Sequence, residues 1–422
     1  MLELTRRHFL AGSSSILFTT GAIAPAEAAE GLRIVALPSI FGDMFKALRD
    51  EFVGRRNVKV GLDTSIREDE KAITTILRNA VVGEIPDVLF ISPNYLRVFV
   101  DRHLAQDLDV FQRTETDWAE NYSAAVTRIG KFKGNLDGLG FAVSMPVVLY
   151  NLDLLARAGV NTPPDSWEDI IALGRKIDDL RQGNVVGGFM EYDNGGNWTF
   201  HGLLNGFGGR ILANDDRSIG FAGPEGLAAL KVLQGFGQCG QSRVDMSRDQ
   251  ARQAFSAGQL GILCTSSSSY EAIEKRSQGR FQIAMRPFPT GTQMGYLPAA
   301  GPVSIMFSNN AEQQQRSWDF MKFASSVAGQ TVMATRTAYL PANDLSFQDE
   351  RLKTYYSSRP NLSALVPALS KMGPWEAFPG ENSVKITTVI KDHLASVVLQ
   401  KATPQQALEQ MSRDVSDLMS PR

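Results

Sequence analysis

The sequence has few of the residues that build catalytic or metal centres. Its 422 residues include only two cysteines and four histidines, and the histidines lie far apart in the chain. No histidine pair has the short spacing that zinc sites use. The sequence also contains no G-x-S-x-G turn, no P-loop and no G-x-G-x-x-G segment after a strand. We therefore expect no catalytic residue, no metal and no cofactor; a secreted glycosidase with paired carboxylates is the enzymatic alternative.

The charge balance is nearly neutral, with 43 basic and 45 acidic residues and a net charge of −2. Nucleic-acid binding needs a clustered basic surface, so we expect no nucleic-acid partner. Beyond the first 30 residues, no apolar run approaches the roughly 20 residues that span a membrane. The length is typical of roughly two to three domain units, and the 43 % hydrophobic content is typical of a soluble globular chain.

The two cysteines, Cys239 and Cys264, leave two possibilities open. An exported protein can oxidise such a pair to a disulfide, although two cysteines alone make no disulfide framework. Cys264 lies in the apolar run "LGILC", which favours a small buried side chain instead.

The N-terminus, "MLELTRRHFLAGSSSILFTTGAIAPAEAAE", has the order of an export signal. Arg6 and Arg7 precede a short apolar run, and an Ala-Glu-Ala cleavage site follows at 26–28. "TRRHFL" favours a twin-arginine signal, with an ordinary Sec signal as the alternative. We predict a signal peptide over residues 1–28, a mature protein beginning near Ala29, and a periplasmic location without a lipid anchor.

Strand and helix patterns alternate after this signal. The segments "LRIVALPSI", "NVKVGLD" and "PDVLFIS" have strand patterns, and two helical patterns lie between them. This β-α-β-α-β order predicts a mostly parallel sheet whose ligand lies beyond the carboxyl ends of its strands. The loops 39–43, 63–69 and 92–95 are therefore candidates. Asp43 and Ser92 are the residues we select from them, although solvated surface charge is the favoured interpretation for Asp43, Arg67 or Asp69 taken alone.

A second α/β pattern begins at "LGFAVSMPVVLYNLDLLARAGV" and continues through an amphipathic helix, "SWEDIIALGRKI". Asp165 or Ser166 is the predicted N-cap of that helix. Two α/β layers in series predict two lobes. Trp167 and Trp318 lie on predicted helices, and we expect both in the core.

Trp198 and Trp375 lie in polar, glycine-rich loops, "YDNGGNWTFHG" and "KMGPWEAFPGENS", where a large aromatic is hard to explain as core. Sugars present apolar ring faces to aromatic side chains and hydroxyls to polar groups. Both tryptophans are therefore candidate ligand residues, with anchoring of the loop as the alternative. The serine run 266–269 follows a predicted strand, so it can meet ligand hydroxyls or cap the next helix.

The order of these motifs resembles the extracellular solute-binding proteins of ABC importers, within the branch that captures sugars and glycerol 3-phosphate. The segments that carry the resemblance extend over most of the mature chain: "GEIPDVLFIS", "FAVSMPVVLYNLDLLARAGVNTPPDSWEDIIAL", "FGGRILANDD", "AFSAGQLGILCTSSSSY" and "TAYLPAN". Each motif alone is weak, but their order is specific.

The resemblance implies a two-lobed periplasmic binding fold of type II, a Venus flytrap with several hinge crossings. It places one lobe at 29–141 plus 300–336 and the other at 142–299 plus 337–422. The crossings fall near 141–144, 285–301 and 336–340. It also implies a small-molecule ligand, the transmembrane subunits of an ABC permease as partner, and a monomer without catalytic activity.

Positions that bind ligand in the resembled family fall on this chain as follows: Ser144, Trp198, the serines Ser266, Ser267 and Ser268, Gly301, and Tyr339. Two positions depart from the family pattern. The family has an acidic residue after the third strand, where this chain has Ser92 or Pro93. The family also has a C-terminal arginine, and this chain has none at the matching position near Thr387. Without that cation, a neutral saccharide or polyol is the expected ligand. A sugar phosphate, another charged solute such as a polyamine or ferric ion, and a carbohydrate-active enzyme are the alternatives. We expect Trp198→Ala to weaken binding more than tenfold while leaving thermal stability nearly intact.

Overall fold

The computed structural model describes residues 31–38, 41–56, 58–180, 184–292 and 295–419. The predicted signal peptide, 1–28, lies outside the described residues, as do positions 39 and 40 of the first candidate loop. No helix in the described ranges is long and apolar enough to cross a membrane.

The strands, in chain order, are β1 Leu32–Ala36, β2 Val60–Asp63, β3 Val88–Ile91, β4 Lys131–Phe132, β5 Asn135–Leu136, β6 Leu139–Gly140, β7 Ala142–Val143, β8 Pro146–Asn151, β9 Val186–Met190, β10 Leu260–Ser266, β11 Ile283–Pro287, β12 Leu297–Pro298, β13 Val303–Met306, β14 Leu340–Pro341 and β15 Met372–Gly373. The α-helices are α1 Gly42–Arg56, α2 Asp69–Ala80, α3 Leu96–Val100, α4 Asp109–Gln112, α5 Trp118–Asn121, α6 Ala124–Gly130, α7 Leu152–Arg157, α8 Trp167–Asp179, α9 Trp198–Gly206, α10 Pro224–Gln238, α11 Arg248–Ser256, α12 Tyr270–Ser277, α13 Ala311–Ser325, α14 Val327–Ala334, α15 Glu350–Ser357, α16 Pro360–Ser363, α17 Ser383–Val398 and α18 Pro404–Met419.

The first sheet has the strand order β2-β1-β3-β13-β6. β1 pairs in parallel with β2 and β3, which confirms the predicted β-α-β-α-β unit. β13 returns from far along the chain and runs antiparallel to β3 and β6, so the sheet is mixed rather than mostly parallel. Successive side chains of β3 face opposite sides of the sheet. Phe90 packs against Phe45 of α1 and Phe141, whereas Leu89 joins a second core with Ile73 and Ile76 of α2.

The second sheet has the order β11-β8-β10-β9 and is also mixed. β8 runs antiparallel to β10 and β11, and only β9 is parallel to β10. Helix α8 packs on β9, and its N-cap is Ser166, whose hydroxyl accepts the backbone N–H of Asp169. Trp167 and Trp318 are buried, as predicted. Cys239 and Cys264 are both buried free thiols.

The chain passes between the two sheets through short strands that lie side by side. β7, between β6 and β8, pairs with β14. Ser144 forms an antiparallel bridge with Ala300, which lies between β12 and β13. The predicted crossings near 141–144, 285–301 and 336–340 therefore meet in one place, while the exact lobe boundaries stay a prediction. We call the elements around the first sheet the N-terminal lobe and those around the second sheet the C-terminal lobe.

Candidate functional site at the interlobe cleft

Tyr339, next to β14, lies where residues of both lobes meet. Its side chain is buried, and its ring centre lies 5.0 Å from that of Phe41 in an edge-to-face arrangement. On the other side, Ser268 is within hydrogen-bonding reach of the Tyr339 hydroxyl. Gly301 has a φ of +101°, and a Cβ there would lie 2.5 Å from the carbonyl oxygen of Ala142. Glycine is thus required at this position, where a Cβ would also lie 3.2 Å from the Tyr339 ring.

Asp69 is the first residue of α2 and is partly buried beside this tyrosine. Its Oδ2 accepts the hydroxyl of Ser92, which follows β3, at 2.5 Å. Burial raises the pKa of Asp69 to about 6, and the neighbouring Glu70 adds to the rise. No lysine or arginine pairs with Asp69 within the described ranges. The sequence favoured solvated surface charge for this residue, and that interpretation is wrong because Asp69 turns inward to Ser92.

The serine run has two different roles. Ser267 is fully buried, and its hydroxyl accepts the backbone N–H of Met145 at 3.2 Å, so it joins β10 to the start of β8. Ser266 and Ser268 are partly exposed, with their hydroxyl oxygens 2.9 Å apart. Ser266 also accepts the backbone N–H of Ser268, which is the capping role that the sequence left open. Ser144 is buried and bonds to Ala300 through its backbone.

The two candidate tryptophans form a second group beside this cluster. Trp198, the first residue of α9, is 4 % exposed, and its indole N–H donates to the carbonyl of Pro298 at 3.1 Å. The Trp375 ring centre lies 6.1 Å away. Gly196 has a positive φ of 57°, and a Cβ there would lie 2.8 Å from Trp375 and 2.5 Å from the Asn94 amide nitrogen. Trp375 Nε1 and Asn94 Oδ1 are buried and have no hydrogen-bond partner among the described residues.

The structure thus places all the predicted site residues except one in two groups, the cluster around Tyr339 and the tryptophan pair beside it. Asp43 lies in the first turn of α1 with its side chain 99 % exposed, and it pairs with Lys46 of the same helix at 3.0 Å. No contact described for it reaches the cluster. Phe41, Asp69 and Asn94 are neighbours that the sequence analysis did not select. The sequence could have indicated them only through their position in the three candidate loops, 39–43, 63–69 and 92–95.

An ion-pair bridge, Arg97–Asp216–Lys133, crosses from one lobe to the other. Arg97 of α3 donates to both carboxylate oxygens of Asp216, at 2.7 and 2.8 Å, and also to the carbonyl of Ala377. Lys133 pairs with the same carboxylate at 2.8 Å. Burial alone would raise the pKa of Asp216, but the bonds from Arg97 and Lys133 lower it overall. A cavity of about 490 Å³ borders the bridge and reaches Trp375.

Comparison with known proteins shows what class this fold and cleft define. The model of the bacterial extracellular solute-binding protein family matches residues 47–359, and the chain belongs to that family. Within the described ranges, no group of three or more histidine, cysteine or acidic residues could hold a metal ion.

Individual relatives are distant. The sn-glycerol-3-phosphate-binding periplasmic protein of Pectobacterium atrosepticum is 24 % identical over 334 residues, which cover 76 % of this chain and 72 % of that one. Among solved structures, UgpB from Mycobacterium tuberculosis, in complex with glycerophosphocholine, superposes with a TM-score of 0.80 at 18 % identity, over 92 % of this chain and 98 % of that chain. The cyclic alpha-maltosyl-1,6-maltose binding protein from Arthrobacter globiformis gives a TM-score of 0.75 at 20 % identity over the same shares. These likenesses confirm the two-lobed α/β fold.

Proposed function

We propose that the protein captures a neutral sugar, oligosaccharide or polyol in the interlobe cleft and delivers it to an ABC permease. The observation that carries the proposal is the cluster around Tyr339. It combines the Asp69 carboxylate with the partly exposed hydroxyls of Ser266 and Ser268 and the aromatic ring of Phe41. Saccharides need this combination of hydrogen-bonding groups for hydroxyls and apolar surface for ring faces.

The mode of action proposed is closure of two lobes around the ligand. The lobes are joined by the short strands at the crossings, which is the kind of connection that hinge closure uses. Ligand shifts the balance between open and closed forms only as far as its contacts differ between the two. A permease can then distinguish the closed, loaded protein. Export through the predicted signal peptide, by the twin-arginine route, would place this monomeric receptor in the periplasm.

A phosphorylated or otherwise charged solute is the second candidate. It is favoured by the basic side chains of the 490 Å³ cavity, which is lined by Arg97, Lys131, Lys133 and Arg210 beside only two carboxylates. The relative from Pectobacterium atrosepticum is a glycerol-3-phosphate binder by name. Three of these four basic groups are already paired with Asp216 or Glu376, so less of their charge is available to a ligand.

The test is a thermal-shift screen of the mature protein against sugars, oligosaccharides, polyols and phosphate esters, followed by calorimetry on each hit. We expect stabilisation by neutral ligands, since a ligand that binds only the folded state raises its stability. Stabilisation by phosphate esters alone would contradict the proposal and support the second candidate. Product formation from an oligosaccharide would instead show an enzyme.

A further inference from the structure

The polar face of the cleft in the N-terminal lobe carries uncompensated negative charge. Asp69 and Glu70 are adjacent at the start of α2, and neither pairs with a lysine or arginine among the described residues. Their partners are hydroxyl groups: Ser92 donates to Asp69, and Tyr95 donates to Glu70. A carboxylate without a counter-ion in a partly buried site needs a proton or a hydrogen-bond donor from a ligand.

Two contacts with the fold position Asp69. α2 sets its backbone, and Ser92 from the next strand loop holds one carboxylate oxygen. An ionised carboxylate has about four acceptor positions, so the bonds from Ser92 leave capacity for a ligand. The side chain is partly exposed, and the neighbouring Tyr339, with the Phe41 ring packed against it, supplies apolar surface.

We propose that Asp69 is the specificity-determining residue of the cleft, and that its carboxylate accepts hydroxyl groups of the ligand and excludes phosphate esters. This inference rests on the proposed function, because it assigns the ligand class of the same site. A ligand hydroxyl donates to the carboxylate with a charge-assisted hydrogen bond, which is stronger than a bond between neutral groups. A phosphate in the same place has no proton to donate at neutral pH and is repelled by both carboxylates.

The same geometry makes binding depend on pH. The titratable groups that face Asp69 are Glu70 on its own helix, Tyr95 after β3 and Tyr339 near β14. Burial raises the pKa values of both tyrosines, so they stay neutral near pH 7. With the pKa of Asp69 raised to about 6, acidification below that value protonates the acceptor. Affinity for a neutral ligand should then fall, and a ligand that itself lowers the pKa of Asp69 moves this fall to lower pH.

The experiment compares wild type with Asp69→Asn, which keeps the size of the side chain and removes its charge. Asp43→Asn is the matched control, since that exposed aspartate lies in the first turn of α1 and bonds only to Lys46 of the same helix in the contacts described. Each protein is titrated calorimetrically with maltose, ribitol and glycerol 3-phosphate, above and below pH 6. We expect Asp69→Asn to lose at least tenfold in affinity for the neutral ligand that binds wild type, to lose the pH dependence, and to gain at least tenfold for glycerol 3-phosphate. The control should match wild type throughout.

Each outcome has a separate meaning. Equal affinities of wild type and Asp69→Asn for both ligand classes would overturn the role of Asp69, even if a neutral ligand binds. Tight binding of glycerol 3-phosphate to wild type would overturn the exclusion. If no neutral ligand binds wild type but Asp69→Asn gains glycerol 3-phosphate binding, the proposed function fails while the role of Asp69 stands. If no neutral ligand binds wild type and Asp69→Asn gains no glycerol 3-phosphate binding either, both the proposed function and the role of Asp69 are overturned.

Discussion

The Arg97–Asp216–Lys133 bridge should contribute to ligand affinity although it lies outside the cluster around Tyr339. If the bridge forms only when the lobes meet, it stabilises the closed form, and ligand that binds the closed form is then held more tightly. Replacing Asp216 by asparagine, Asp216→Asn, removes one charge that two cations share. Arg97, whose side chain is only 8 % exposed, would keep Asp101 as its ion-pair partner.

The magnitude follows from the burial of the pair. Hydrogen bonds to charged groups contribute about 1.5–3 kcal/mol each when buried. The Asp216 side chain is 32 % exposed, so solvent screening reduces this value, and we expect a net loss of about 1–2 kcal/mol. That free energy corresponds to a roughly 5- to 30-fold increase in Kd. The bond geometry is bidentate, which makes it more specific than an ordinary surface pair.

The assay is calorimetric titration of wild type and Asp216→Asn at low and high ionic strength. At about 1 M salt the screening length falls to about 3 Å, so wild type should lose affinity and approach the variant. Glu51→Gln is the control, because it breaks the Glu51–Arg55 pair within α1 and leaves the cleft untouched. The reasoning is refuted if Asp216→Asn binds with the wild-type Kd at low salt, or if the control loses as much affinity.

Three further changes test the fold and the cleft. Trp198 is buried and bonds to Pro298, so the near-intact stability expected from the sequence for Trp198→Ala no longer holds. The variant should lower the free energy of unfolding by about 3–5 kcal/mol, measured by urea titration. A loss below about 1 kcal/mol would contradict this packing. Gly301→Ala should cost about 1–3 kcal/mol because of its left-handed φ and the close carbonyl; a wild-type Tm would show that the backbone there differs. Asp69→Asn should stabilise the ligand-free protein by at most about 3 kcal/mol above pH 6, because each unit of pKa difference corresponds to about 1.4 kcal/mol, and it should have little effect below pH 4. The folded pKa of Asp69 is about 6 against 3.8 for the unfolded chain, so the folded state binds more protons between these values and wild-type stability falls as pH rises through them. Thermal melts across this pH range measure the effect. If the Tm of wild type and that of Asp69→Asn change with pH in the same way, the raised pKa of Asp69 is ruled out.

Much of the N-terminal lobe could be predicted because its signals are local. The apolar runs of β1 and β3 and the helical spacing of α1 lie within short windows, and parallel order follows from their alternation. The N-cap of α8 was also predictable, since Ser166 precedes the periodic segment. The antiparallel direction of β13 could not be predicted, because its pairing with β3 joins segments far apart in the chain.

The candidate site was predicted less completely for a similar reason. The sequence indicates the loops but not which side chain of each loop turns inward. Asp43 and Asp69 are both aspartates at the start of a helix, yet the first faces solvent and the second bonds to Ser92. That difference depends on how each helix is rotated against the sheet, which tertiary packing decides.

The insertion of β13 between β3 and β6 has a consequence for how the molecule is made. During synthesis, the N-terminal lobe has an unfilled gap in its sheet until the ribosome has produced most of the polypeptide. The first lobe therefore cannot finish folding ahead of the second, and both halves should complete their structure late and together. A nascent or truncated chain ending before Val303 should expose open strand edges and require chaperone protection.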